Sequence, residues 1–178
     1  VNLKLNKYIL LLLICCITML PIACKVNYSF TGASIAPDVK TVSIQYFSSY
    51  APLAKPTYSQ TFTEALRDIF VSQTNLSFVP KGGDLEFEGA ITSYSAAPIA
   101  IQGTGANGLN QAAQNRLSIT VKVKFVNNKD DKQSFETTFT RFADFPTTSA
   151  LAAEEDRLIK EINTQLVQDI FNKAVINW

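Results

Sequence analysis

Cys24 is the residue in this 178-residue chain whose neighbours prescribe a reaction. It follows Leu20-Pro21-Ile22-Ala23, a string similar to a lipobox, in which the cysteine after a small residue is acylated and becomes the new N-terminus. Pro21 stands where lipoboxes favour leucine. Upstream lie Lys4 and Lys7 with no acid, then an apolar run from Tyr8 to Ala23. A basic start, an apolar core of secretory length and a small residue before the cysteine read as a signal peptide over residues 1–23. A transmembrane helix over 8–23 is the competing reading. It falls short of the roughly 20 apolar residues a bilayer requires, and Pro21 would interrupt it. Cys15 and Cys16 cannot substitute, because Ile14 and Cys15 are too large for the residue before the cut.

The other side chains exclude more than they offer. The chain has no histidine, which removes the usual general base, the commonest metal ligand and every histidine-dependent triad. Cleavage before Cys24 would also remove Cys15 and Cys16, so no disulfide, cysteine nucleophile or thiolate metal site would remain in the domain. An enzyme built on carboxylates or a Ser–Lys pair stays open, but no motif points to one, and no metal or cofactor is expected. Of 16 basic and 15 acidic residues the leader takes two lysines and no acid, leaving 14 against 15. That balance argues against a nucleic-acid partner, which needs a basic excess.

One cationic row could meet a partner. Arg116, Lys122 and Lys124 share the even parity of a single predicted strand. They suit lipid phosphates or the acidic groups of a barrel wall; equally, they suit a plain solvated strand face. Glu86 and Glu88, on the polar side of another strand, could pair with them across the sheet. Gly103, Gly105 and Gly108 lack the lysine of a P-loop and read as a plain loop. Trp178 could dock into a partner or close the end of the last helix stripe.

The elements that must position these residues follow from periodicity. Residues 24–40 are polar and form a tether. Thr41–Phe47 alternates as a half-buried strand, and residues 48–57, with Pro52 and Pro56, form a loop. Thr57 and Gln60 resemble a capping box opening a helix with Phe62, Leu66, Ile69 and Phe70 on one face. A short strand over 76–80 and the turn Lys81-Gly82-Gly83-Asp84 precede a strand over 85–94. There Leu85, Phe87, Gly89 and Ile91 oppose Glu86 and Glu88. Residues 96–114 read as a long loop. Arg116–Asn127 alternates most regularly, with Leu117, Ile119, Val121, Val123 and Phe125 on one side, and forms a hairpin with 133–142. The last helix, capped at Thr147–Ser149, carries Leu151, Leu158, Ile159, Ile162, Leu166 and Ile170. Running to about Trp178, it is expected to be roughly 40 Å long, longer than the strands it covers. The sum is an α+β, two-layer sandwich, ordered strand-helix-strand-strand-strand-strand-helix. Two helices pack on one face of a roughly four-stranded, mixed or antiparallel sheet, and the other face is left polar.

Together these strings resemble the lipopolysaccharide-assembly lipoproteins, the LptE family. The resemblance rests on the Cys24 motif, Tyr28-Ser29-Phe30-Thr31-Gly32, Val42-Ser43-Ile44-Gln45-Tyr46-Phe47 and Gln60-Thr61-Phe62-Thr63-Glu64-Ala65-Leu66. It continues through Gly82-Gly83-Asp84-Leu85-Glu86-Phe87-Glu88-Gly89, Asn115-Arg116-Leu117, Glu161-Ile162-Asn163 and Asp169-Ile170-Phe171-Asn172-Lys173-Ala174-Val175. It implies that residues 41–178 form a non-enzymatic sandwich lodged in a large outer-membrane β-barrel, which it helps to assemble, and that lipopolysaccharide is a further partner. Cys24 would be the membrane anchor. Lys25 in place of an aspartate after that cysteine favours the periplasmic face of the outer membrane. A reading from a different class is a stand-alone, lipid-anchored periplasmic module holding a small ligand between helices and sheet.

Overall fold

The computed structural model describes residues 35–99 and 114–175. A six-stranded mixed sheet carries two helices on one face. The elements are β1 (Thr41–Ile44), β2 (Ser48–Ser49), α1 (Tyr58–Gln73), β3 (Ser77–Phe78), β4 (Leu85–Ile99), β5 (Gln114–Asn127), β6 (Phe135–Pro146) and α2 (Leu151–Val175), with a 3-10 turn at Asp131–Gln133 before β6. The spatial order is β3-β1-β4-β5-β6, with β2 also on β4. β1 runs parallel to both β3 and β4, while β4-β5-β6 is an antiparallel meander. No helix among the described residues is long and apolar enough to cross a membrane.

The alternation in β5 decides which face carries the core. Leu117, Ile119, Val121, Val123 and Phe125 are buried under the helices together with Leu85, Phe87 and Ile91 of β4. Aromatic rings bind the layers: Phe87 lies 4.8 Å from Phe70 of α1 and 4.8 Å from Phe125 of β5, and Phe70 lies 5.1 Å from Phe171 of α2. Such pairs contribute about 0.5–1.5 kcal/mol beyond their burial. Gly89 admits Phe47 into this layer, since a Cβ there would collide with the Lys122 carbonyl and the Phe47 ring. Gly82, at φ 67°, takes the left-handed turn that leads into β4. The helices run in the same direction: Tyr58 near the start of α1 meets Asn163 of α2, and Phe70 near its end meets Phe171.

The sequence expectations of class and layering hold, and four details change. The expected first strand ends early, at Ile44, and Ser48–Ser49, expected to open a loop, form β2 on β4 one residue out of step with β1, which raises the strand count to six. The expected loop from residue 96 begins later, because Ala96-Ala97-Pro98-Ile99 continues β4 against Gln114–Leu117. Thr57 makes no side-chain cap, since its backbone is helical (φ −78°, ψ −12°), and Gln60 reaches forward to Glu64 at 2.8 Å. Finally, the sheet outreaches the helix: 15 residues of β4 span about 50 Å, whereas the 25 residues of α2 span about 37 Å. The surplus is on the strands, at the end where both helices begin. Within the expected tether, Val39 is buried and the backbone of Lys40 is bound by Asp84 at 2.8 Å. Trp178 and the Gly103–Gly108 segment lie outside the described residues.

Candidate functional site

The helix-free face of the sheet is where Arg116, Lys122 and Lys124 lie, because their neighbours on β5 are turned into the core. Register brings an acid beside each. The Arg116 guanidinium donates to both oxygens of Asp144 on β6, at 2.7 and 2.9 Å. Lys122 pairs with Glu136 of β6, and Lys124 reaches Glu88 of β4 at 3.4 Å. Arg116 also lies over Phe142, its guanidinium carbon 3.6 Å from the ring centroid. The bond from Arg116 holds the Asp144 carboxyl below its ordinary range, and the bond from Lys122 does the same for Glu136. The expected cationic row is therefore a ladder of three neutralised pairs. Of the two glutamates expected to meet the lysines, Glu88 does so, whereas Glu86 takes the Asn128 amide at 2.8 Å.

Between the pairs the face presents small and hydroxylated side chains. Ser93 sits beside Thr120, Ser95 beside Ser118, and Thr120 shares a 3.0 Å hydrogen bond with Thr140. The Arg116–Asp144 pair is the more shielded, its side chains 34% and 28% exposed against 55% and 52% for Lys122 and Glu136. That makes it the fixed point of the face, while the lysine pairs can be exchanged for other partners at little cost. The surface is thus polar, near neutral and free of any covering helix, and Phe142 is its exposed apolar feature.

The opposite side of the molecule holds a different feature. A groove of about 700 Å³ runs between α1 and α2 on their solvent side, with Ala65, Ile69, Ile159 and Val167 among its apolar walls and Tyr58 and Asn163 among its polar ones. The Tyr58 hydroxyl donates to the Asn163 side-chain oxygen at 2.7 Å. Near its start, Tyr94 donates to the buried Glu155 at 2.5 Å, and Lys55 bridges Glu155 and Asp156 at 3.2 and 2.7 Å. Burial pushes both phenols up, Tyr94 further through its bond to Glu155, so each stays a protonated donor.

Cys24, the expected lipidation site, lies outside the described residues. Sequence reasoning placed the three cations on one face and missed the acids that neutralise two of them, Asp144 and Glu136, because cross-strand register is not visible in one strand. It also missed Asp84 as a hub and the Glu155–Tyr94 bond. The only signal for the first was an aspartate after two turn glycines.

No curated protein matches the sequence. Among solved structures the chain is similar to a minor lipoprotein from Acinetobacter baumannii, at 14% identity and a TM-score of 0.47, over 76% of this chain and 91% of that one. It is similar to the rare lipoprotein B of Shewanella oneidensis, at 19% identity and a TM-score of 0.44, over 75% and 92%. It is also similar to an uncharacterized lipoprotein B of Nitrosomonas europaea, at 19% identity and a TM-score of 0.43, over 75% and 80%. Residues 39–174, which take in every strand and nearly all of both helices, match the family described as LptE, lipopolysaccharide-assembly. The chain belongs to that lipopolysaccharide-assembly family.

Proposed function

We propose that this chain is a non-enzymatic subunit, lipid-anchored through Cys24 on the periplasmic face of the outer membrane. In this reading it occupies the lumen of a large β-barrel that delivers lipopolysaccharide to the outer leaflet, and it helps that barrel assemble. The observation that carries this reading is the family match over residues 39–174. Physical support comes from the open sheet face. Barrel lumens are polar and wet, and a face of neutralised pairs and hydroxyls enters such a lumen without burying an unpaired charge. Arg116, Lys122 and Lys124 are the proposed contacts on that face, through groups that remain exposed in their pairs.

The test is to tag the full chain after Trp178, purify it from solubilised membranes and identify by mass spectrometry what comes with it. One β-barrel in one-to-one ratio is expected. Depleting the chain should lower the assembled barrel and admit large hydrophobic antibiotics. Normal barrel levels and an intact permeability barrier after full depletion would overturn the proposal. Those results would promote the second reading, a stand-alone binding module. The groove between the helices favours that reading, since its size suits a small ligand. It lies on the outer side of the helix layer, not between helices and sheet as first expected.

A further inference from the structure

The segment before β1 is bolted to the domain through one carboxylate. Asp84 Oδ2 accepts the backbone N–H of Lys40 at 2.8 Å, that of Thr41 at 3.0 Å and the Thr41 hydroxyl at 3.0 Å. The Thr41 hydroxyl oxygen in turn accepts the Asp84 N–H at 2.9 Å. Asp84 Oδ1 holds Lys129 at 3.0 Å, and the Asp84 carbonyl accepts the Asn128 N–H at 2.8 Å. Asn128 also donates its side-chain amide to the Gly83 carbonyl at 2.8 Å. Three parts of the chain that are distant in sequence therefore meet at one side chain: the start of β1, the turn before β4 and the turn between β5 and β6. Just upstream, Val39 is buried in the core and Ile35 packs against it.

We propose that Asp84 is a clamp that fixes where and in which direction the chain N-terminal to Lys40 leaves the domain. β1 lies between two parallel neighbours, so a pull along it loads the ladder bonds on both sides together and does not unzip them one at a time. The clamp sits at the first residue of that strand and holds the amides that would fray first. Its value as a mechanical junction rests on the anchor proposed at Cys24; the clamp itself does not. If residue 24 is the anchor, the 11 residues from there to Ile35 limit its distance from the domain to about 40 Å.

Hydrogen exchange on the full chain in detergent tests this, comparing the parent with Asp84→Ala and Thr41→Ser. The Lys40 and Thr41 amides should be protected in the parent and should exchange on the order of tenfold to a hundredfold faster in Asp84→Ala. Protection at Val121–Phe125 should not change. Thr41→Ser keeps the hydroxyl and should match the parent. Equal exchange at Lys40 and Thr41 in parent and Asp84→Ala would overturn the clamp. A uniform loss of protection that included β5 would also overturn it, because Asp84 would then be a general stability determinant. Intact mass measurement reports separately on acylation at residue 24. An unmodified cysteine would remove the anchor and leave the exchange result standing, whereas unchanged exchange would remove the clamp whatever Cys24 carries.

Discussion

The two sides of β5 are made by alternate residues of one 14-residue strand and behave as different materials. On one side Leu117, Ile119, Val121, Val123 and Phe125 are almost wholly buried and closely packed, so each atom is fixed by many neighbours. On the other, Arg116, Lys122 and Lys124 are tied to acids on adjacent strands, in pairs that are partly or largely open to water. Stability therefore resides on the first side and adaptability on the second. A face whose charges are already satisfied can be carried into a polar enclosure or left in solvent with little change in energy. That property suits an assembly subunit better than a fixed ligand site.

Substitutions on the two sides should separate by size. Val121→Asp places an unpaired carboxylate in the core, at a cost comparable to the whole stability of a domain. Urea melts should find it unfolded or nearly so. Phe87→Ala removes a ring that touches both α1 and β5 through their aromatic residues, and should lose about 3–5 kcal/mol in the same melts. Gly89→Ala forces Phe47 and the Lys122 carbonyl apart and should cost about 1–3 kcal/mol. Lys122→Glu should leave the melting temperature close to that of the parent. If it destabilised as much as Val121→Asp, the assignment of faces would be wrong.

A small effect is also expected in pH. Asp144 and Glu136 are held below their ordinary carboxyl range, so their contribution is fully present above about pH 4–5. It is lost as acid protonates them in the folded state. Melting temperature should fall on acidification below that range, and should fall less steeply in the double variant Asp144→Asn, Glu136→Gln. Identical slopes would mean that the pairs contribute nothing to folding.

How far the fold could be read from sequence follows the range of the forces involved. The β5 alternation and the α2 stripe are local patterns, and both faces were legible from them. The β4 extension was not, since Ala96, Ala97 and Pro98 have no strand propensity of their own and are held there only by Gln114–Leu117 across the sheet. Thr57 and Gln60 matched a capping pattern, but the backbone at Thr57 turned the hydroxyl away from that use. The cations of the site could be placed on one face, whereas their neutralisation depended on register with β4 and β6. Asp84 was legible as a turn residue only, because its partners at Lys40 and Thr41 are 44 and 43 positions earlier.

The way α1 meets α2 also bears on the order in which the molecule is made. Lys55–Asp156 and Tyr58–Asn163 join residues 101 and 105 positions apart, so their formation closes loops of that length at a high entropic cost. The meander β4-β5-β6 and the return of α2 onto β6 involve much shorter separations, as in Arg141 to Asp169, 28 apart. Contacts of low sequence separation form first, so α1 on β1 and β4, and α2 on the meander, should form before the seam between the two helices closes. Phe47 meets Phe62, and Phe70 meets Phe87 of β4, across similarly short separations, so it is the face of α1 turned toward α2 that waits. A chain that emerges N-terminus first must keep the Tyr58 side of α1 from other partners until its last helix has arrived.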